Sequence, residues 1–162
     1  MLFVQEKARF LKDVSIFEKL SFGQLEALAG VCEDQVYLAG DFIFRQGDLG
    51  SSLYVVLDGR VAIEREVADD DEMVLLTVVE PYEYFGEISL FYHAPRSVTA
   101  IAMQDTIVLQ IQRDVFVAFA NQNLNSLMDL NHILCQRLVE AHDKISEMAS
   151  CHKSRELSKL CE

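Results

Sequence analysis

The chain has 162 residues, of which 51% are hydrophobic and 25% charged, a composition that argues against intrinsic disorder and fits one folded domain. Its formal net charge of -12 argues against a nucleic-acid-binding surface, because such surfaces are rich in lysine and arginine. No apolar run is long enough to cross a bilayer and no signal sequence opens the chain, so we expect a soluble, cytoplasmic protein that binds no nucleic acid and does not insert into membranes.

The first 32 residues have the apolar periodicity of helices. Val4, Ala8 and Leu11 recur at intervals of three and four residues, which places them on one face of a helix. Ser21 is a residue type that caps helix N-termini. We therefore predict two or three short helices over residues 3–32.

From about residue 35 the pattern changes to short apolar runs separated by turn residues, which is typical of strands. Gly40, Gly47 and Gly59 stand between successive runs, and glycine supplies the positive φ that tight turns require. This spacing predicts antiparallel hairpins that close into a roll or barrel over residues 35–111. The predicted strands are residues 36–38, 42–44, 53–57, 61–63, 73–79, 98–102 and 107–111.

After residue 112 the apolar spacing becomes helical again. Val115, Phe116 and Phe119 fall on one face of a short helix, and a longer helix follows that reaches at least Met148. Six apolar residues and one asparagine of the longer helix alternate in steps of four and three, the rhythm of a coiled coil, which predicts a homodimer through this helix. The alternative is that the stripe packs on the protein's own roll. The stripe consists of Leu127, Asn131, Leu134, Leu138, Ala141, Ile145 and Met148.

The order of helices, strands and helices predicts a single α+β domain spanning residues 1–162. Its expected architecture is an antiparallel β-roll of the jelly-roll type. N-terminal helices precede the roll in the chain. C-terminal helices, one of them long, follow it over about residues 113–155.

Neither the cysteines nor the histidines are spaced as metal ligands. The chain has no CxxC pair, and its histidines do not form the facial group that a cupin-type enzyme uses. Ser89 and Ser97 lack the histidine and aspartate pattern of a nucleophilic serine. We therefore predict reduced thiols, no metal site and no catalytic activity. The cysteines are Cys32, Cys135, Cys151 and Cys161, and the histidines are His93, His132, His142 and His152.

Residues 84–100 interrupt the strand pattern with a glycine, a short helical turn, a proline and a lone arginine. Unsatisfied N–H groups at the start of a short helix favour an anion, and Arg96 adds a planar fork of donors that matches two phosphate oxygens. Glu87 beside a phosphate requires a ligand that also offers a hydroxyl, which a ribose 2′-OH supplies. These features together indicate a 3′,5′-cyclic nucleotide. The alternative for Glu87 and Arg96 is a mutual salt bridge at a loop edge.

This segment resembles the phosphate-binding cassette of the cyclic nucleotide-binding domain family. That family includes regulatory subunits of cAMP-dependent protein kinase, cyclic nucleotide-gated channels and bacterial catabolite activator proteins. The resemblance extends upstream to a strand with a Gly-Asp turn at residues 43–48 and a hairpin at residues 53–63, and it covers residues 11–138 in all. Within the cassette, which is taken as residues 85–100, it rests on Phe85-Gly86-Glu87, Leu90 and Pro95-Arg96-Ser97.

The resemblance implies a role for each residue of the cassette. Glu87 would hold the ribose 2′-OH, Arg96 would hold the exocyclic phosphate oxygens, and Gly86 would let the backbone approach the sugar. Phe85, the first residue of the motif, is also expected among the ligand-binding residues. The remaining expected contacts are backbone N–H groups of Ile88, Ser89 and Ser97.

Two positions depart from the family pattern. Tyr82-Glu83 stands where the family commonly has Gly-Asp, so the loop before the cassette must turn without its usual glycine. In bacterial activators a Thr-Ser pair on the long helix contacts adenine, whereas gapless counting from Arg96 reaches Ala141 and His142. His142 is therefore the candidate base contact, and the alternative is that it is structural.

The resemblance implies a sensor that binds cAMP and relays its occupancy to the C-terminal helices. Leu90 would move with the cassette against the following helix, and Phe116 or Phe119 would receive it. The alternatives are a cGMP sensor and a degenerate, ligand-free domain that acts as a dimerisation module. A DNA-binding activator is expected only if the chain is a fragment, because a helix-turn-helix module needs roughly 60 to 80 further residues.

Overall fold

The computed structural model describes residues 2–67, 72–92 and 94–122, together with 131, 135, 136, 138, 139, 141–143 and 146. The chain forms two compact units, Met1–Leu124 and Asn125–Glu162, and each is described by itself. Among the described residues, no helix is long and apolar enough to span a membrane.

Three helical segments precede the strands, as the apolar periodicity predicts. They are α1 (Val4–Lys12), a 3-10 turn (Ser15–Phe17) and α2 (Phe22–Ala29). Ser21 caps α2, because its Oγ accepts a hydrogen bond from the N–H of Gln24 while the Gln24 side chain accepts one from the N–H of Ser21. Ala8 and Leu11 of α1 are fully buried, as the spacing predicts, whereas Val4, expected on the same face, is exposed because it starts the helix.

A buried ion pair connects α1 to the segment that follows α2. Lys7 Nζ lies 3.0 Å from Asp34 Oδ2 and donates a hydrogen bond of 3.1 Å to the carbonyl of Cys32. Burial raises the pKa of the Cys32 thiol to about 12, and the nearby Lys7 opposes this effect only in part. Cys32 is therefore a free, protonated thiol at neutral pH, which makes it a poor nucleophile.

Eight strands form two antiparallel sheets that enclose the apolar core. The strands are β1 (Glu33–Tyr37), β2 (Phe42–Phe44), β3 (Ser52–Asp58), β4 (Val61–Val67), β5 (Glu72–Val79), β6 (Tyr84–Phe85), β7 (Thr99–Ala102) and β8 (Thr106–Gln112). The sheet orders are β1-β8-β3-β6 and β2-β7-β4-β5. Val56 and Val108 from the first sheet pack with Val61 and Ala100 from the second. The predicted α+β fold with an antiparallel β-roll is confirmed, although the two sheets do not close into one barrel.

The loop before the cassette turns at Tyr82, where the family commonly has glycine. Tyr82 has φ 71°, in the left-handed region that is strained for a residue with a side chain. Its N–H donates to the carbonyl of Val56 at 3.0 Å, and its ring stacks on Phe10 of α1 with centroids 4.2 Å apart. The hydrogen bond and the stacked ring therefore stabilise a turn that lacks its usual glycine.

The last strand leads directly into α4 (Arg113–Gln122). Phe116 and Ala120 are buried along this helix, and Val115 and Phe119 are half-buried. The short helix that the spacing predicts after β8 is therefore present, with its apolar face turned inward.

In the second unit, the described residues are helical. Three members of the predicted coiled-coil stripe are among them, and all three are exposed: Asn131, Leu138 and Ala141. The homodimer stays a prediction, because the other members lie outside the described residues: Leu127, Leu134, Ile145 and Met148.

Candidate functional site

The cassette connects the two sheets through a single helical turn. β6 ends at Phe85, the helix α3 (Ile88–Phe91) follows, and the chain then returns to β7. Gly86 has φ 81°, and a Cβ atom at this position would lie 2.7 Å from Arg96 Nη1 and 3.0 Å from the carbonyl oxygen of Ser52. Glycine at residue 86 therefore provides both the backbone conformation and the space that Arg96 occupies.

Arg96 is a buried cation whose observed hydrogen bonds all go to neutral oxygens. The residue is only 6% exposed. Nη1 donates to the carbonyl of Gly86 at 3.1 Å and to Ser89 Oγ at 2.9 Å, and Nη2 donates to the carbonyl of Ser52 at 2.9 Å. Within the described part of the chain, no carboxylate forms a salt bridge with Arg96. The guanidinium thus carries a positive charge without a negative counterpart in contact.

The surroundings of Arg96 favour an added anion. Burial lowers the pKa of its guanidinium, while Tyr54, Glu87 and Asp48 act in the opposite direction. Arginine nevertheless stays protonated at neutral pH because its ordinary pKa is so high. A buried charge without a paired counter-charge is costly, and a phosphate oxygen in contact would lower that cost.

One turn that is distant in sequence and one aromatic ring hold Arg96 in place. Its backbone N–H donates to the carbonyl of Asp48 at 2.8 Å, and its own carbonyl accepts from the N–H of Gly47 at 2.8 Å. The guanidinium also lies over the ring of Phe44, with the central carbon 4.0 Å from the ring centroid. The Gly-Asp turn noted in the sequence therefore holds the backbone of Arg96 through two hydrogen bonds.

Gly50 and Ser52 lie next to Arg96, and the sequence did not indicate either of them. A Cβ atom at Gly50 would collide with Ser89 Oγ and would lie 2.6 Å from Arg96 Nε. The side chain of Ser89 is also a new contact, because only its backbone N–H was expected to contribute. That N–H instead donates to the carbonyl of Gly86 at 3.3 Å.

Glu87 is the N-cap of α3 and is half-buried. No salt bridge joins it to Arg96, so the alternative of a mutual ion pair does not describe this pair of residues. The backbone N–H groups of Ile88 and Ser97 donate to no acceptor within the described residues. Two donors and one acceptor thus accompany the guanidinium in the cassette.

Phe85 contributes to the core beneath the site. Its ring stacks on Tyr54 with centroids 5.2 Å apart and lies 5.8 Å from the ring of Phe44. These three rings form an aromatic floor next to Arg96. The side chain of Phe85, which is 5% exposed, is thus a packing element of the roll.

Leu90 is fully buried, and its helix α3 lies against α4. Phe116 is also buried on α4, and Phe119 is half-buried.

His142 belongs to the second unit, where it is helical and exposed. Its contact with a base stays a prediction. Among the described residues, no group of three or more histidine, cysteine or acidic side chains is arranged to hold a metal ion.

Comparison with known proteins relates this site to a described family. Residues 34–123 match the family model described as the cyclic nucleotide-binding domain. The chain is 32% identical to a cyclic AMP receptor protein of Thermus thermophilus over 131 residues, which are 81% of this chain and 60% of that protein. It is 35% identical to a cGMP-dependent protein kinase of Plasmodium berghei over 108 residues, which are 67% of this chain and 12% of that protein. The chain therefore spans less than two thirds of either relative.

Solved structures are also similar to this chain. The catabolite activator protein of Thermus thermophilus aligns with a TM-score of 0.75 at 30% identity, covering 83% of this chain and 63% of that chain. The sensor domain of a transcriptional regulator from Pseudomonas aeruginosa aligns with a TM-score of 0.76 at 24% identity, covering 88% of this chain and 95% of that chain. The second likeness shows the fold alone.

Proposed function

The chain belongs to the cyclic nucleotide-binding domain family, and on that premise we propose that it is a cAMP sensor whose ligand is held by Arg96 and Glu87. The observation that carries the proposal is the buried guanidinium of Arg96, whose hydrogen bonds go to neutral oxygens and which forms no salt bridge within the described residues. A cyclic phosphate supplies the missing negative charge in a compact form. The family model describes a binding domain, which supports regulation without catalysis by this chain.

The proposed binding step exchanges hydrogen bonds at Arg96. A phosphate oxygen competes with the carbonyl groups of Gly86 and Ser52 for the Nη donors, and the resulting charge-assisted bonds are stronger than those to neutral acceptors. The N–H groups of Ile88 and Ser97 add neutral donors for the same anion. Glu87 accepts from the ribose 2′-OH, which keeps its carboxylate away from the phosphate.

The choice of cAMP is supported by the bacterial relative, which is named a cyclic AMP receptor protein and is similar over 81% of this chain. Ser97 follows the arginine. The resemblance associates threonine at this position with cGMP, alanine with cAMP and serine with bacterial cAMP binders. The second candidate ligand is cGMP, because the Plasmodium relative is named a cGMP-dependent kinase. Titration of the same preparation with both nucleotides decides between them, and tighter binding of cGMP would contradict the assignment to cAMP.

The Glu87→Gln variant tests the proposed contact with the ribose. We expect cAMP to bind this variant about 3- to 30-fold more weakly, because an amide oxygen still accepts a hydrogen bond but lacks the charge. We also expect 2′-deoxy-cAMP to bind the parent and the variant almost equally, since that ligand has no 2′-OH to donate. Both affinities are measured by calorimetry.

Glu18→Gln is the matched control for this substitution. Glu18 is exposed and lies beside Lys19, a surface pair that contributes little to stability, so cAMP affinity should not change. If Glu87→Gln weakened cAMP and 2′-deoxy-cAMP by the same factor, Glu87 would not contact the 2′-OH.

The Leu90→Ala variant tests the relay from the cassette to α4. Burying a leucine contributes roughly 1.5 to 3 kcal/mol, enough to shift a two-state equilibrium by one to two powers of ten. We therefore expect the variant to bind cAMP but to lose the ligand-induced protection of α4 amides, Arg113–Gln122, in hydrogen exchange.

Leu25→Ala controls for general loss of packing, because Leu25 is equally buried but lies on α2. Both variants are expected to be less stable by about 2 to 5 kcal/mol, while Leu25→Ala keeps the ligand-induced protection. If cAMP protected the α4 amides equally in Leu90→Ala and in the parent, the coupling between the cassette and α4 would not depend on the Leu90 side chain.

A further inference from the structure

Arg113, the first residue of α4, contacts the cassette helix directly. Its Nε donates a hydrogen bond of 3.0 Å to the carbonyl of Leu90. Leu90 belongs to α3, a helix of one turn whose last carbonyl groups have no partner within the helix itself. An arginine satisfies such a carbonyl, and its positive charge is favourable beside a helix C-terminus. This hydrogen bond therefore joins α3 to the start of α4.

The backbone of Arg113 contacts the other side of the anion site. Its N–H donates to the carbonyl of Ser51 at 2.7 Å. Ser51 stands between Gly50, which leaves room for Arg96, and Ser52, whose carbonyl accepts from Arg96 Nη2. One residue of α4 is thus bonded to both segments that surround the guanidinium.

We propose that Arg113 is a positioning residue that couples the occupancy of Arg96 to α4. The proposal rests on the proposed function, because it requires that a phosphate draws the Nη donors away from the carbonyl groups of Gly86 and Ser52. When those bonds weaken, the cassette and the start of β3 are no longer held together through Arg96. Arg113 remains bonded to both segments, so the first turn of α4 follows their change in separation.

This coupling is distinct from the apolar contact of Leu90. The hydrogen bond uses the backbone carbonyl of Leu90, which is unchanged in any substitution of its side chain. The donor, by contrast, depends on the guanidinium of Arg113, because lysine places a single ammonium group at a different distance and has no Nε–H. A lysine at residue 113 therefore keeps the positive charge but loses the Nε–H donor that bonds the carbonyl of Leu90.

The test compares the parent chain with Arg113→Ala and Arg113→Lys. Affinity for cAMP is measured by calorimetry, and the exchange of α4 amides is measured with and without saturating cAMP. In the parent we expect cAMP to change these exchange rates on the order of tenfold, the size of a typical coupling between sites. In Arg113→Ala we expect cAMP to bind within about threefold of the parent while the exchange response falls below about twofold. Arg113→Lys should give an intermediate response.

Arg60→Ala is the matched control, because Arg60 lies in the β3–β4 turn and pairs with Glu80 at the surface. It should keep the exchange response of the parent. If Arg113→Ala kept the full response, or if the parent showed none although it binds cAMP, the role of Arg113 would be overturned. Failure of the parent to bind any cyclic nucleotide would instead overturn the proposed function on which this role rests.

Discussion

Replacing Arg96 with alanine is expected to weaken cAMP binding about 30- to 1,000-fold, which corresponds to roughly 2 to 4 kcal/mol. The large effect follows from the position of the guanidinium. It is buried, it lies over the ring of Phe44, and its Nη donors face the backbone oxygens of Gly86 and Ser52. No other described side chain of the cassette carries a positive charge, so alanine removes the main attraction for a phosphate.

Stability must be measured with affinity, because Arg96 also connects parts of the fold. Alanine leaves the carbonyl groups of Gly86 and Ser52 without this donor, so the free energy of unfolding is expected to fall by about 1 to 3 kcal/mol. Arg96→Lys is a second variant that keeps the charge and loses the planar fork. Its affinity should lie between those of the parent and Arg96→Ala.

Arg60→Ala serves as the control here as well, since it removes an exposed arginine that pairs with Glu80 outside the cassette. It should leave the free energy of unfolding almost unchanged and cAMP affinity within about twofold of the parent. The assignment of the cassette is wrong if folded Arg96→Ala binds cAMP as tightly as the parent does.

Replacing Gly50 with alanine is expected to weaken cAMP binding by about 10- to 100-fold, although residue 50 lies outside the cassette. The added Cβ atom would collide with Ser89 Oγ and would lie 2.6 Å from Arg96 Nε and 2.9 Å from Arg96 Cδ. Because Arg96 is buried, its side chain has little room to move aside, and overpacking of this kind costs typically 1 to 3 kcal/mol. The guanidinium is therefore displaced from the position that binds the phosphate.

Gly23→Ala is the matched control for this substitution. Gly23 lies in α2, and a Cβ atom there meets no other atom within 4 Å. Alanine at residue 23 should stabilise the helix by roughly 0.5 to 1 kcal/mol and leave cAMP affinity unchanged. Parent-like binding by Gly50→Ala, measured in the same calorimetric series, would show that Arg96 does not need the space above Gly50.

The sequence predicts the parts of the fold that have a local signal. Strand runs such as residues 73–79 alternate with turns at Gly40, Gly47 and Gly59, and all three glycines adopt positive φ. The short strand β6 was missed, because two residues are too few to show a period of two. Tyr82 was recognised as a departure, but the stacking on Phe10 that supports its left-handed backbone joins residues 72 positions apart in the chain.

In the candidate site, too, the features with a local sequence signal are predicted and the long-range contacts are not. The sequence predicts Arg96 and Glu87 as site residues because they stand in a short segment with glycine and proline. The neighbours of Arg96 were not, since Ser52 is 44 residues away and has no distinguishing motif. Arg113 was missed for the same reason, because its contact with Leu90 crosses 23 residues and depends on how β8 delivers α4 to the cassette. The sequence therefore predicts which residue types could form the site, whereas the contacts that position Arg96 are known only from the fold.

The most direct test of the central claim is a calorimetric titration of the purified 162-residue chain with cAMP, with 5′-AMP and adenosine as matched ligands. Both controls keep the base and the 2′-OH, but 5′-AMP has an open phosphate and adenosine has none. A site built around Arg96 and Glu87 is expected to bind cAMP saturably with one ligand per chain, 5′-AMP more weakly, and adenosine weakest of the three. Absence of saturable binding by cAMP and by cGMP, or equal binding of adenosine and cAMP, would contradict a phosphate site at Arg96.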